Sequence, residues 1–197
     1  NGTHTSTITH TINTTLTTDT NYDAVVGIPN VTNNITDNDV ASFVLSKTTS
    51  TVAENAGTDT FTVVLGAQPL TDVNFSITSS NPTDATISPS TLTFTNANWN
   101  TPQTITITGV NDHTIPNGSS TITISVTDAT SDNAFDPLAD QTVTVTVTND
   151  DVAGLTINPS TDVSILEGST NTTAYSVALN AQPLTDVVID ITSANPA

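Results

Sequence analysis

The chain has 197 residues and a formal net charge of −18, with 19 acidic residues against a single basic one. This balance argues strongly against nucleic acid and anionic membranes as partners, because both are bound through lysine and arginine. The absence of cysteine excludes disulfide frameworks and thiolate metal sites. Thr, Val, Ile and Asn dominate, helix-forming residues are scarce, and the apolar residues recur periodically, so the sequence predicts a folded all-β protein.

Residues 1–40 carry two strand patterns separated by a loop. At residues 7–12 every second side chain would point to one face, and a further strand is predicted at about residues 30–36 after a loop at residues 18–23. The second strand runs into the acidic phrase Asp37-Asn38-Asp39. We interpret this segment as the C-terminal part of a first repeat.

Residues 41–151 predict a complete β-sandwich. Alternating apolar residues indicate strands, with further short apolar stretches at Ile87 and residues 92–94, and the chain is expected to turn at residues 51–57. The alternating stretches lie near residues 42–45, 61–65, 73–77, 104–107, 122–126 and 143–147. About seven short strands in roughly 110 residues are typical of an immunoglobulin-like antiparallel sandwich.

Residues 152–197 restart the same pattern, which we interpret as the N-terminal part of a third repeat. Residues 67–73 return unchanged at 181–187, Glu54 returns as Glu167, and the acidic phrase at residues 35–40 recurs at residues 147–152, which gives a period of 112 to 114 residues. Partial sheets would expose their edges and core. We therefore expect either a window from a longer tandem array, beginning at a processed or truncated end, or a protomer whose ends are completed by neighbouring copies.

Several phrases of the middle repeat resemble the Calx-beta repeat, as does the order of strands between them. These phrases lie at residues 52–57, 92–94, 109–112 and 148–151. The resemblance is closest to the Thr- and Asn-rich versions in large secreted bacterial surface proteins. It implies calcium bound at one end of the sandwich, by a glutamate after the first strand, by aspartates in two loops and by an acidic run where the next domain begins. Carried over to this chain, the implied ligands are Glu54, Asp84, Asp112, Asp150 and Asp151, with Asp37, Asp39 and Glu167 as their counterparts in the partial repeats.

The chemistry of such a junction favours a divalent cation. Calcium takes six to eight oxygen ligands, and two carboxylates about 4 Å apart repel by roughly 4 kcal/mol at an effective dielectric near 20. Lys47 is the sole basic residue, so the sequence predicts Ca²⁺ at the junction, with a merely solvated acidic turn as the alternative. Other acids are interpreted as ordinary hairpin residues, namely Asp59, Asp72, Asp162 and Asp186.

Two loops share the form Asp-x-x-aromatic-Asp. The first contains Asp132 and Asp136, and the second contains Asp19 and Asp23. A second metal ion bound there is one interpretation. A capped loop with its aromatic side chain packed inward is the other and the favoured one.

The remaining candidates are modifications, binding and catalysis. Sequons for N-glycosylation occur at Asn1, Asn13, Asn30, Asn34, Asn74, Asn117 and Asn171. Trp99 is expected to cover one end of the core, with glycan stacking as the alternative. Catalysis is not expected, because the histidines have no partner acting as a base–nucleophile pair and the paired carboxylates lie in turns that recur with the repeat.

The sequence therefore predicts a non-enzymatic, extracellular structural repeat, in which sandwiches follow each other end to end and calcium stiffens each joint. Such an array would serve as an adhesin stalk, a surface fibre or a filament, with neighbouring repeats or copies of itself as partners. One alternative is an adhesion module that binds glycans, although the chain has one Trp and two Tyr where binding modules usually present convergent aromatics. The other is a self-assembling protomer completed by strand addition from neighbours.

Overall fold

The computed structural model describes residues 4–22, 25–168, 170 and 172–194, and these contain thirteen β-strands, one 3-10 turn at Asp128–Thr130 and no α-helix. Three predicted site residues, Asn1, Asp23 and Asn171, lie outside the described residues. In chain order the strands are β1 (His4–Ile8), β2 (Val31–Ile35), β3 (Phe43–Leu45), β4 (Thr49–Ala53), β5 (Thr58–Leu65), β6 (Val73–Ser79), β7 (Ala85–Ser88), β8 (Thr91–Phe94), β9 (Gln103–Gly109), β10 (Gly118–Val126), β11 (Gln141–Thr148), β12 (Leu155–Asn158) and β13 (Ser176–Leu179).

Nine of these strands, β3 to β11, form a β-sandwich in the middle of the chain. One sheet has the order β4-β11-β10-β6-β8 and the other the order β3-β5-β9-β7. All the pairings are antiparallel except that of β4 with β11, which is parallel. The predicted all-β class is confirmed.

The core of the sandwich follows from strict alternation along the strands. In β11 the side chains of Val143, Val145 and Val147 are buried while the intervening threonines face outward. The same alternation in β5, β6, β9 and β10 directs apolar side chains between the two sheets. Phe75 lies at the centre, with its ring centroid 4.9 Å from that of Phe43 and 5.9 Å from that of Phe94.

The middle sandwich has nine strands where the sequence predicted about seven. The predicted first strand corresponds to β3, which pairs with β5, whereas β4 is an additional strand that pairs with β11 in the other sheet. Residues 51–53, which were expected to turn the chain, therefore belong to β4, and the turn is confined to residues 54–57. The alternation of Ser50 and Val52 toward the core is the local reason, because their burial against β11 stabilises an extended chain.

The N-terminal hairpin reproduces a pairing of the middle sandwich. Strand β1 pairs with β2 so that His4 lies opposite Ile35, and β10 pairs with β11 so that Gly118 lies opposite Val147. Gly118 lies 114 residues after His4 in the sequence, and Val147 lies 112 residues after Ile35, which are the spacings of the repeat. The two hairpins therefore have the same register. In this segment β1 and β2 pair with each other and with no other described strand.

The C-terminal hairpin likewise reproduces the pairing of β3 with β5. Leu155 of β12 lies opposite Leu179 of β13, as Phe43 lies opposite Leu65. Each terminal segment therefore contains one two-stranded hairpin with the register of the corresponding strands in the middle sandwich. The described chain contains no helix with the length and hydropathy needed to cross a lipid bilayer.

Candidate metal centre

Three predicted calcium ligands converge at one end of the middle sandwich. Glu54 directly follows β4, Asp112 lies in the loop between β9 and β10, and Asp151 lies just beyond β11. Each offers a carboxylate oxygen, and these oxygens all lie within 4.8 Å of one another. The sandwich topology brings them together because β4 and β11 run parallel and end at the same edge.

Close backbone packing fixes the loops that carry these ligands. The main-chain N–H of Glu54 donates to the carbonyl oxygen of Thr148 at 3.1 Å, and that of Gly109 donates to the carbonyl oxygen of Gly57 at 2.9 Å. A Cβ atom on Gly109 would overlap the carbonyl oxygen of Ala53. Glycine at this position therefore lets the end of β9 approach the turn that carries Glu54.

Burial makes Glu54 the most perturbed acid of the cluster. Its side chain is 2% exposed, and its pKa is raised because burial disfavours the charged carboxylate. The negative charges of Asp151 and Asp112 raise it further, against a weak hydrogen bond of 3.4 Å from the main-chain N–H of Asp150. Among the described residues, no lysine or arginine side chain lies beside this carboxylate to offset its charge.

Asp112 and Asp151 are held differently. Asp112 accepts hydrogen bonds from the main-chain N–H and the hydroxyl of Thr114, both at 2.8 Å, and these bonds hold the pKa of its carboxyl below its usual range. Asp151 Oδ2 is buried and has no hydrogen-bond partner among the described residues. The His113 side chain is mostly exposed, and its Nδ1 atom lies 4.0 Å from Asp151 Oδ1. A buried carboxylate oxygen without a partner is costly, and a cation or a bound water is the kind of group that would satisfy it.

The separation of the three carboxylate oxygens is within the range that one cation can bridge. Because calcium–oxygen distances are about 2.3–2.6 Å, two ligands of one ion can be no more than about 5 Å apart. The three carboxylate oxygens meet this limit. Without an ion, each pair of charged carboxylates at this separation would repel by roughly 3 to 4 kcal/mol at an effective dielectric near 20.

The single lysine is engaged elsewhere. Lys47 Nζ donates to Asp59 Oδ2 at 2.5 Å, and the hydroxyl of Ser50 donates to the same oxygen at 2.6 Å. Because of these bonds, first of all the one from Lys47, the pKa of Asp59 falls to about 2. Asp59, interpreted from the sequence as an ordinary hairpin acid, lies within β5 and carries the ion pair.

Two further predicted ligands lie outside the cluster. Asp84 accepts a hydrogen bond of 2.7 Å from the main-chain N–H of Ser119 and packs against Gly118, so its carboxylate fastens the loop after β6 to the start of β10. Asp150 is exposed; it donates its main-chain N–H to Glu54, and its carboxyl also interacts with Glu54 and raises the pKa of Glu54. The structure thus brings together three of the five residues that the resemblance implied.

The counterparts in the partial repeats occupy other positions. Asp37 and Asp39 line a cavity of about 190 Å³ at the opposite end of the sandwich, together with Gln68, Asp132 and further residues of the neighbouring loops. The main-chain N–H of Asp39 donates to Asp37 Oδ1 at 3.0 Å, as that of Asp151 donates to Asn149 Oδ1 at 2.8 Å. The two acidic phrases therefore share one turn. Glu167 is exposed.

The loop proposed for a second ion is tied together by hydrogen bonds. Asp132 Oδ2 accepts from the main-chain N–H groups of Leu70 and Thr71 at 2.6 and 3.1 Å, and its Oδ1 accepts from that of Ala134 at 3.0 Å. Although burial acts in the opposite direction, these bonds lower its pKa. Phe135 is packed into the core. Both oxygens of Asp132 are thus engaged in capping the loop. Asp136 Oδ1 is buried without a partner in the described part of the chain. In the corresponding N-terminal loop Asp19 is exposed, and its Oδ1 accepts hydrogen bonds from the main-chain N–H and the side-chain amide of Asn21.

Sequence reasoning missed the contact that joins the middle sandwich to the following segment. The carbonyl oxygen of His113, a residue with a φ of 63°, accepts a hydrogen bond of 2.8 Å from the main-chain N–H of Gln182, and Thr114 pairs with Gln182 in a parallel bridge. Gln182 belongs to the stretch that repeats residues 67–73. The exact repetition of residues 67–73 at residues 181–187 was the sequence signal for this contact, because residues that join one repeat to the next are expected to recur in every repeat.

The predicted N-glycosylation sites and Trp99 lie in different surroundings. Asn74 is held by a hydrogen bond from its side-chain amide to the carbonyl oxygen of Thr130 at 2.7 Å, and the side-chain oxygens of Asn13 and Asn117 accept from backbone N–H groups. Asn30 and Asn34 are exposed. Trp99 is half-buried and packs against the core, in the position of a cover.

Neither a protein-family model nor a curated protein matches the chain. Among solved structures, it is similar to WR4, an MSP family member of C. elegans, with 13% identity over 54% of this chain and 97% of that one, at a TM-score of 0.40. Domains 4 and 5 of the S-layer protein SbsC give 24% identity over 61% of this chain and 59% of that one, at a TM-score of 0.40. The E. coli chaperone DraB gives 12% identity over 59% and 58%, at a TM-score of 0.41. At such TM-scores we draw no conclusion from these similarities.

Proposed function

We propose that this chain is a non-enzymatic structural part of an extracellular stalk or surface fibre, built from end-to-end β-sandwiches of the Calx-beta type whose joints are stiffened by calcium. The observation that carries the proposal is the cluster of Glu54, Asp112 and Asp151 beside the joint, where Asp151 Oδ2 is buried without a partner. In the described chain these carboxylates have no lysine partner, because Lys47 is paired with Asp59.

The position of the cluster explains how an ion would stiffen the array. Asp151 is the last residue of the acidic phrase, and β12 of the next segment begins at Leu155. Asp112 immediately precedes His113, whose carbonyl oxygen receives the hydrogen bond from Gln182. An ion bound by Glu54, Asp112 and Asp151 would therefore fix the start of the following segment and the loop that it contacts. A joint this short and this constrained would act as a rod rather than a flexible linker.

The whole-molecule charge is consistent with an extracellular role. Nineteen acidic residues against one basic residue keep such chains soluble and mutually repulsive, and a divalent ion at each joint would offset part of that repulsion. Calcium affinities of extracellular modules are commonly about 10⁻⁴ to 10⁻³ M, which suits an environment with millimolar calcium.

The test is thermal unfolding of the 197-residue chain in millimolar calcium and after chelation. For a dissociation constant of about 0.1 mM, 1 mM calcium should stabilise the folded chain by about 1.4 kcal/mol, which raises the midpoint by about 3 to 6 °C in a chain of this length. Calcium should also slow hydrogen exchange at the amide of Gln182, because that hydrogen bond crosses the joint. The exchange measurement separates a stiffened joint from calcium bound elsewhere.

Magnesium at the same concentration is the matched control. Because magnesium demands near-octahedral geometry and keeps several waters, its effect on the midpoint should be clearly smaller. An unchanged midpoint and an unchanged small-angle scattering profile on adding calcium would remove the calcium joint from the proposal.

A further inference from the structure

The side chain of Asn149 closes a tight turn around the backbone of Asp151. Asn149 Oδ1 accepts a hydrogen bond of 2.8 Å from the main-chain N–H of Asp151, and Asn149 Nδ2 donates one of 3.0 Å to the main-chain carbonyl oxygen of the same residue. One side-chain amide thus engages both polar main-chain groups of Asp151. These two bonds hold the Asp151 backbone close to the end of β11, which lies directly before Asn149.

Asn149 is itself held from the other side by Asn117. The main-chain N–H of Asn149 donates a hydrogen bond of 3.0 Å to Asn117 Oδ1. The register of β10 and β11, in which Gly118 lies opposite Val147, would place Pro116 opposite Asn149. Because proline has no main-chain N–H, it cannot pair fully with Asn149, and the Asn117 side chain supplies an acceptor there. The acidic phrase is therefore fixed to the start of β10 as well as to the end of β11.

The carboxylate of Asp151 is not held in the same way as its backbone. Its Oδ2 atom is buried and has no hydrogen-bond partner among the described residues, and its Oδ1 atom lies 4.0 Å from His113 Nδ1. The carboxylates of Glu54 and Asp112 lie beside it, and their like charges favour turning the Asp151 side chain away. The bonds from Asn149 oppose that movement, because they fix the backbone from which the Asp151 side chain extends into the cluster.

The acidic phrase of the N-terminal segment has the same turn with a different side chain. Asp37 occupies the position of Asn149, and its Oδ1 atom accepts a hydrogen bond of 3.0 Å from the main-chain N–H of Asp39. The two turns share an oxygen acceptor two residues before the second aspartate. Asn149 supplies that acceptor without adding a further negative charge beside the cluster.

We propose that Asn149 is a positioning residue of the candidate metal centre, whose side-chain amide holds the backbone of Asp151 so that its carboxylate faces Glu54 and Asp112 with or without an ion. The inference rests on the proposed calcium function and adds to it a residue that does not touch the ion. Removing a group that orients a metal ligand typically weakens metal binding by about 10- to 100-fold. Asn149 contributes in advance of binding, because a ligand already in place loses less conformational freedom when the ion arrives.

The experiment is calorimetric titration of the full chain with calcium. Asn149→Ala removes the acceptor and should raise the Kd for calcium by about tenfold or more. Asn149→Asp keeps the acceptor, as Asp37 does, and Asn149→Ser keeps a weaker, uncharged one. Both should therefore bind calcium more tightly than Asn149→Ala. The control is Asn133→Ala, at an exposed position in a loop at the opposite end of the sandwich, and it should bind calcium as the parent chain does.

A second measurement separates positioning from a general loss of stability. In chelator, hydrogen exchange at the Asp151 amide should be slow in the parent chain and in Asn149→Asp, and faster in Asn149→Ala, because only the last of these lacks the acceptor. Urea unfolding in chelator shows whether each variant still folds. If Asn149→Ala does not fold, Asn149→Ser carries the same comparison with Asn149→Asp and the parent chain.

Three results would overturn the proposal. Equal calcium affinity in Asn149→Ala and the parent chain would remove the role of Asn149 and leave the calcium joint in place. Recovery of affinity in Asn149→Asp but not in Asn149→Ser would assign the effect to charge and not to the turn. The absence of calcium binding by the parent chain would remove the proposed function, and this inference with it.

Discussion

The main-chain N–H of Gln182 donates a hydrogen bond of 2.8 Å to the carbonyl oxygen of His113, which joins the segment after the acidic phrase to the loop that carries Asp112. The contact between the two segments is therefore formed by backbone groups. It lies next to the candidate metal centre, because Asp112 immediately precedes His113.

Asp151→Asn should weaken the response to calcium, because it replaces a charged ligand with a neutral amide. If the dissociation constant rises tenfold, from about 0.1 to about 1 mM, the stabilisation by 1 mM calcium falls to about a third. Asp72→Asn is the matched control, since the Asp72 side chain is exposed and lies away from the cluster. Equal calcium responses in the two variants would argue against Asp151 as a ligand.

Glu54→Gln should stabilise the protein in chelator as the pH rises. The pKa of Glu54 is raised in the folded state above its ordinary value of 4.5, so the folded protein binds this proton more tightly than the unfolded chain does. The stability contributed by protonated Glu54 is complete below the ordinary value and is lost as the pH rises through the folded pKa. The glutamine variant does not suffer this loss.

The measurement is urea unfolding in chelator between about pH 4 and pH 8, where the advantage of Glu54→Gln over the parent chain should grow with pH. In millimolar calcium the order should reverse, because glutamine supplies no charge to the ion. An advantage that is constant across the pH range would contradict the assignment of a raised pKa.

Gly109→Ala should destabilise the sandwich by about 1–3 kcal/mol, because its Cβ would overlap the main-chain carbonyl oxygen of Ala53, which cannot move away as a flexible side chain can. It should also reduce the calcium response by displacing the turn that carries Glu54. Gly154→Ala is the control, since its Cβ would meet the movable side chain of Asn180. Denaturant unfolding of both variants, with and without calcium, measures the two effects.

Asp132→Ala should destabilise the middle sandwich by about 3 kcal/mol, because three main-chain N–H groups lose their acceptor. Since the pKa of Asp132 is lowered from 3.8, its contribution is present above that value and is lost as the pH falls through the folded pKa. The exposed Asp140 supplies the control, Asp140→Ala, which should stay within about 0.5 kcal/mol of the parent. Urea unfolding near neutral and acid pH checks both statements, and a loss in Asp132→Ala no larger than in the control would contradict them.

Much of the fold could be predicted from the sequence. Alternation such as that of Val143, Val145 and Val147 specifies a half-buried strand wherever it occurs, because successive side chains of an extended chain point to opposite faces. The internal repeat also indicated that the terminal segments copy parts of the middle one. The hairpins of the terminal segments have the registers of the corresponding strands in the middle sandwich.

The pairing of strands that lie far apart in sequence had to come from the tertiary structure. Alternation along β3 and β4 does not reveal that one joins each sheet, because burial specifies a face and not a neighbour. The partners of acidic side chains could not be predicted for the same reason. No feature of the neighbouring sequence distinguishes Asp59, which pairs with Lys47, from Asp72, which is exposed.

The sequence by itself determined the all-β class and the repeat period, because these depend on alternation and on residues recurring at fixed spacing. The end of the sandwich at which acids gather was implied by the resemblance to the Calx-beta repeat. Only the tertiary structure decided that Glu54, Asp112 and Asp151 converge while Asp84 turns to the backbone of Ser119. The reason is physical. A shared site requires oxygens within about 5 Å of one another, and that distance is set by which strands pair and where each of them ends.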